Sequence, residues 1–338
     1  MTERGGILVL DKPAGATSFA CVARVRRAAG VRRAGHCGTL DPFATGVLPI
    51  VLGRATGLVR YMEGYDKAYR VTVRFGAETD TQDSTGVPTG GRAPTAEEAA
   101  ALRADGDRRL RGLVEGLAGE RMQTPPLYSA VKVDGRRLYE YARKGLDVER
   151  RARRIRVHEA RLVDASSEVG VLRAVADLRC SKGTYVRTLA EDLGRETGFG
   201  AHAEALVRTA CGPFRLEEAH GLDAVEAACR EGGDRPLAAL AALGWLLPLE
   251  AAVAHLPAAH ADEAVARRIA NGLSVTAEAL GLSDGEAPET VAVLQEGIGL
   301  LAVCRRDESA GPAVADLPLS YRAERVFVGN DAEEADRG

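Results

Sequence analysis

Residues Lys67 to Phe75 alternate without a break, with Tyr69, Val71, Val73 and Phe75 on one face and Arg70, Thr72 and Arg74 on the other. A segment of this kind is a strand with one wet face, and it needs neighbours to pair with. The chain offers them in irregular order. Ile7 to Leu10 is a short apolar run that meets Asp11-Lys12-Pro13, and Thr17 or Ser18 can cap a helix carrying Val22, Val25 and Ala29. An apolar strand follows at Val47 to Leu52. A Thr-, Asp-, Gly- and Pro-rich loop spans Thr79 to Pro94, and two helical stretches follow it, one opening at Thr95. Tyr128 to Val133 is strand-like, Asp134-Gly135 is a turn, and Arg136 to Lys144 is a helix ended by Gly145. Strands at Ile155 to Val163 and Val171 to Cys180 precede a helix from Thr184 to Thr197, closed by Gly198. Hairpin turns mixed with helical connections predict an α+β fold with a mixed sheet, not a doubly wound parallel one.

A length of 338 residues suggests two domains. Near Leu246 the composition turns to Ala and Leu, and a boundary is expected there. Beyond it come a helix at Ala261 to Asn271, an acidic loop at Leu282 to Glu289, and strands at Val291 to Leu294 and Leu300 to Arg305. Residues 1–245 are thus read as one domain, 246–330 as a small β-rich module and 331–338 as a disordered acidic tail. The net charge of −3 hides a split. From Glu217 onward there are 9 Lys and Arg against 22 Asp and Glu, which leaves 36 against 26 in the front portion. A polyanion partner is therefore plausible for the front alone.

None of the six cysteines forms a C-x-x-C pair, and the histidines do not cluster, so a metal site has no support. Scattered thiols, an N-terminus without a long apolar stretch and no run long enough to span a bilayer point to a cytoplasmic protein.

Four segments are open to chemical readings. In Gly35-His36-Cys37-Gly38-Thr39-Leu40-Asp41-Pro42, Asp41 is the only acid between Asp11 and Glu63, among arginines that should hold it ionised. It is equally a turn former before Pro42. His36 is a substrate contact or a hydrogen-bonded loop residue. In Cys180-Ser181-Lys182-Gly183-Thr184-Tyr185-Val186-Arg187, a helix start beside Lys182 suits phosphate, whereas the plainer reading is a capped helix with a solvated Arg187. Arg136 to Arg161 interleaves ten basic residues with Tyr139 and Tyr141, which suits RNA or a solvated basic helix. Gly297 to Ala302 formally fits G-x-G-x-x-A, but it lies between two strands and is read as a hairpin.

Together, six stretches resemble the TruB-type tRNA pseudouridine synthases: Ile7–Ser18, Gly35–Ile50, Asp66–Val71, Glu78–Gly86, Gln123–Gly145 and Cys180–Gly194. They stand in the family's order and cover most of residues 5–215. Taken alone, the turn reading of Asp41 and the solvated reading of Arg187 come first; the resemblance reverses both. It implies a mixed, mainly antiparallel sheet of the pseudouridine synthase type with flanking helices, and a small C-terminal PUA-like RNA-binding module. It further implies isomerisation of the T-loop uridine of tRNA after base flipping. Asp41 would be the catalytic carboxylate, Arg187 its partner and Tyr69 the residue stacked on the target base. His36, Tyr185 and Leu206 would contact substrate, and Lys12 and Pro13 would stand near the site. No cofactor, metal, membrane, guide RNA or obligatory protein partner is implied, and a monomer is expected. Two other readings stay open: a tRNA-binding RNA chaperone, and a pseudouridine synthase acting on another RNA.

The chemistry suits these residue types. A carboxylate can attack C1′ or stabilise an oxocarbenium-like centre and take a proton. A forked arginine fixes such a carboxylate, and an aromatic face holds a flipped base with roughly 1–3 kcal/mol of stacking.

Overall fold

The computed structural model describes residues 5–146, 148–168, 170–283, 288–307 and 319–327. The expected tail, 331–338, and the centre of the acidic loop lie outside them.

One large mixed sheet organises the front of the chain. Its strands run in the spatial order His220–Gly221, Gly5–Lys12, Thr45–Gly53, Ala201–Cys211, Lys67–Phe75, Val171–Cys180, Arg153–Glu168 and Gly119–Gln123. Pairing along this path is antiparallel except at two places: Gly5–Lys12 against His220–Gly221, and Thr45–Gly53 against Ala201–Cys211. The second parallel contact is brief, with only Val207 opposite Thr45 and Arg208 opposite Gly46. The sheet is therefore two mainly antiparallel halves joined by a two-residue parallel contact. That contact requires glycine at position 46, whose φ is +97° and where a Cβ would meet the Arg208 carbonyl oxygen at 2.3 Å.

The apolar runs and the alternating one differ because they bury different numbers of faces. Leu8 and Leu10 pack with Cys21, Val22 and Val25 of helix Ser18–Ala28 and with Val225 of helix Leu222–Glu231. Ile7 and Val9 point the other way, to Leu58, Met62, Ala252, Val253, Val303 and Phe327. A strand covered on both faces has no position left for a polar side chain. Lys67–Phe75 buries Val71, Val73 and Phe75 and leaves Arg70 and Arg74 to pair on the surface with Asp177 and Glu204.

A second, five-stranded sheet follows the order Ala258–His260, Thr290–Gln295, Gly299–Arg306, Ser320–Val326 and Val275–Thr276. Helix Glu263–Ala270, capped by the Asp262 carboxylate, packs against it. The glycines at 297 and 299 sit in the turn of a hairpin, as their position between two strands predicts. The small sheet does not stand apart. Leu246–Leu247 pairs with Ile7 and Leu8 of the large sheet, and Val303 and Phe327 share a core with Ile7 and Val51.

Three elements differ from the sequence reading. The strand-like segment at Tyr128 shrinks to a two-residue hairpin, Lys132–Val133 with Arg136–Arg137, because Leu138 N–H and Tyr139 N–H donate to the Val131 and Ser129 carbonyls instead of entering a ladder. The helix expected over Arg136 to Lys144 is only Leu138–Ala142. The loop after Thr79 holds a small ladder of Glu78–Thr79 with Pro88–Gly90. The helical stretch that opens at Thr95 is broken at Ala104–Asp107, as two helices would be.

Candidate active site

A cleft of about 730 Å³ opens beside the parallel contact, where the two halves of the sheet part. His36, Asp41, Tyr69, Tyr185, Arg187 and Leu206, separated by up to 170 residues in sequence, all line it.

Asp41 sits on a loop held from below by the segment that contains Lys12. The ammonium of Lys12, wholly buried, donates to the carbonyls of Pro13 at 2.8 Å, Ala16 at 2.7 Å and Pro42 at 3.2 Å. Gly15 N–H donates to the same Pro42 carbonyl, and Ser18 Oγ bonds both the N–H and the carbonyl of Leu40. Burial lowers the Lys12 pKa, with a further lowering from Arg208, against the pull of Cys21 and Asp41. Lys12 and Pro13 are not among the residues lining the cleft. Lys12 shapes the Asp41 loop from beneath, and Pro13 lies exposed on the outer side. Asp41 does form a turn, with Ala44 N–H donating to its carbonyl, and its side chain lines the cleft.

Arg187, at the first turn of helix Val186–Thr197, is 2% exposed. Its Nη2 donates to Asp41 Oδ1 at 3.2 Å, and its Nε lies 2.8 Å from Asp41 Oδ2 without hydrogen-bond alignment, so the two groups form an ion pair carrying one hydrogen bond. The guanidinium is itself clamped. Nη2 donates to the Tyr128 carbonyl at 2.8 Å, Nη1 to the Thr81 carbonyl, and Asp83 Oδ2 stands 3.6 Å from Nη1. Asp83 is buried, with its other oxygen accepting from Thr81 Oγ1, Thr85 Oγ1 and Thr85 N–H. The solvated-helix reading of Arg187 therefore fails, because Thr81, Asp83 and Tyr128 come from far along the chain to enclose it.

The arginines near Asp41 in sequence do not hold it ionised as expected. Arg24 pairs with Asp223 and Glu226, and Arg60 with Glu324. Burial pushes the Asp41 carboxyl above the ordinary carboxylate range, and Asp83 adds to this; Arg187 and Lys12 only partly offset it.

Tyr69 lies opposite Arg208 in the sheet, with Leu206 two positions along opposite Val71. Burial raises the Tyr69 phenol well above its ordinary value, so it stays protonated. His36 is lowered by burial and by Arg208, which keeps it neutral at physiological pH, and its Nδ1 is buried without a partner. Tyr185 is fixed through its backbone, its N–H donating to Gln123 Oε1 at 2.8 Å and its carbonyl accepting from Gln123 Nε2 at 3.0 Å.

Asp83, Gln123, Lys67 and Arg208 escaped the sequence reading as individual residues. The first three lie in stretches that carry the family resemblance, which was the available signal; Arg208 lies outside them, with nothing to mark it. Lys182, Arg153 and Arg154 line the cleft from exposed positions. Among the described residues no three His, Cys, Asp or Glu side chains group as metal ligands, and no helix is long and apolar enough to cross a membrane.

Residues 26–186 match the TruB family pseudouridylate synthase N-terminal domain, and residues 187–254 match the tRNA pseudouridylate synthase B C-terminal domain. A tRNA pseudouridine synthase B of Geobacillus kaustophilus is 44% identical over 79% of this chain and 89% of its own length. The chain belongs to the TruB pseudouridylate synthase family. Another relative so named, from Chromohalobacter salexigens, is 39% identical over 91% of this chain and 94% of its own. In fold, this TruB-family chain is similar to a chain in a crystal structure of a Cbf5-Nop10-Gar1 complex. That match has a TM-score of 0.68 and 24% identity, and covers 96% of this chain and 86% of that one. The mixed sheet and the PUA-like β-rich module are thus those of the pseudouridine synthase fold.

Proposed function

We infer that this TruB-family chain isomerises the T-loop uridine of tRNA to pseudouridine, with Asp41 as the catalytic carboxylate. The observation that carries the reading is the Asp41–Arg187 ion pair on the wall of a cleft that also presents Tyr69. The target base has to leave its stack to reach such a cleft. Tyr69 offers the flipped base a face, Leu206 and Tyr185 line its pocket, and neutral His36 contacts the RNA from which the base has been drawn. Asp41 acts at the sugar carbon as N1–C1′ breaks, while Arg187 keeps it oriented and opposes the rise in its pKa. Residues 1–245 form the catalytic body and 246–330 the RNA-binding module. The enzyme works in the cytoplasm as a monomer, reading the T stem-loop without a guide RNA, a second protein, a metal or a cofactor.

The test is tRNA labelled at the T-loop uridine, incubated with the wild type and with Asp41→Asn. Wild type is expected to form pseudouridine and the variant none. Full conversion by Asp41→Asn would remove Asp41 from the mechanism. Modification of another RNA in place of the T-loop would move the substrate assignment.

A further inference from the structure

Three buried cations around the cleft have no carboxylate within 4.0 Å among the described residues: Lys12, Lys67 and Arg208. Each is held by backbone carbonyls. Lys12 serves the Asp41 loop. Lys67 Nζ donates to the Tyr65 carbonyl. Arg208, 1% exposed, donates from Nε to the Val47 carbonyl at 2.7 Å and from Nη2 to the Gly38 carbonyl at 3.0 Å. Carbonyls satisfy hydrogens but place no carboxylate beside these cations, and burying a charge without a close partner is costly. Lys67 and Arg208 both line the cleft. Their cost is understandable if the cleft comes to hold negative charge.

Position separates two sources of that charge. The exposed rim, with Arg153, Arg154 and Lys182, suits backbone phosphate. Arg208 instead lies at the floor, directly opposite Tyr69 in the sheet, beside neutral His36 and apolar Leu206. That is where a base stacked on Tyr69 would lie, so the inference rests on the pseudouridine synthase reading. When N1–C1′ breaks, the bonding pair remains on uracil, spread over N1, O2 and O4. C5 then attacks C1′, the C5 proton leaves, and N1 takes up a proton. The sum is an isomerisation and needs no co-reactant. We propose that Arg208, supported by Lys67, is a further catalytic residue that stabilises the uracil anion between cleavage of N1–C1′ and formation of C5–C1′. A fixed cation in a water-poor site is effective because it is oriented before the charge appears.

The test compares uridine with 5-fluorouridine at the target position of tRNA, reading glycosidic cleavage in single turnover. Fluorine withdraws electrons and stabilises the uracil anion by itself. Arg208→Gln is expected to slow cleavage of uridine roughly 100-fold, to slow 5-fluorouridine several-fold less, and Arg208→Lys to recover most of the rate. Should Arg208→Gln not fold, Lys67→Gln carries the same unequal expectation. Equal slowing of both substrates in a folded variant overturns the proposal. So does a loss confined to tRNA affinity, which would assign the charges to phosphate. A wild type that forms no pseudouridine would instead overturn the functional reading on which this one rests.

Discussion

Around the cleft, Lys12, Lys67, Arg187 and Arg208 are all buried. In the small C-terminal sheet and its helix, Arg267, Arg305 and Arg322 pair with Glu263, Glu289 and Asp307 while more than half exposed. Both regions are rich in arginine, yet the same side chain has opposite energetics in them. An exposed pair contributes little, because water already solvates both partners. A buried cation costs stability unless something negative arrives. Burial of arginine in one region and its exposure in the other separates the part built for chemistry from the part built to be wet outside and apolar within.

The largest effect should come from Asp41→Asn. Activity is expected to fall about 10³-fold or more, while the thermal midpoint holds or rises. The sign follows from the pKa. Burial raises the folded Asp41 above its unfolded value, so its charge opposes folding at neutral pH, and stability gained by neutralising it appears as pH rises above the ordinary carboxylate range. A clear drop in melting temperature at pH 7 would show that the carboxylate is structural and erase the contrast between the regions.

Arg187→Met comes next. It leaves buried Asp83 and Asp41 without their cation, and about 3–5 kcal/mol of stability should be lost in denaturant unfolding. For any folded fraction, the acid limb of the pH–rate profile should move to higher pH, since Arg187 holds the Asp41 pKa down. An unmoved limb would mean that the ion pair does not tune Asp41.

The apolar seam between the regions sharpens the comparison. Phe327→Ala removes a 2%-exposed ring from the core shared by both sheets, and should cost about 3–5 kcal/mol in the same unfolding transition. A separate early transition for the small sheet would mean that the seam does not couple them.

The smallest effects concern RNA charge. Arg154→Ala at the cleft should weaken tRNA binding and reduce the slope of log K against log salt by about 1. Arg267→Ala on helix Glu263–Ala270 should leave that slope alone and change stability by no more than about 0.5 kcal/mol. Equal slope changes would place RNA on the acidic module as well.

Much of this molecule was legible in advance where the cause is local. The alternation from Tyr69 to Phe75 gives a strand with one wet face because side chains point to opposite sides of a pleat. The apolar run from Ile7 to Leu10 is buried, and Gly198 ends its helix at φ +74°. The motif order placed Asp41, Arg187, Tyr69, His36, Tyr185 and Leu206 together, and they line one cleft. What the chain could not announce is environment. Arg187 looks like any arginine in a first helical turn until Thr81, Asp83 and Tyr128 close over it. The arginines beside Asp41 in sequence turn elsewhere, and burial raises a carboxyl that they were expected to hold ionised. Lys12, with a motif suggesting a place near substrate, became the prop of a loop.

By itself, then, the sequence determined the alternating strand at Lys67–Phe75, the apolar strands before it, the helix end at Gly198, the family's motifs and the split of charge between front and back. These depend on residue types a few positions apart. The tertiary structure alone decided which charges are buried, which are paired and which stand unpaired under the cleft. Desolvation depends on segments up to 170 residues away, and no local pattern encodes how they close.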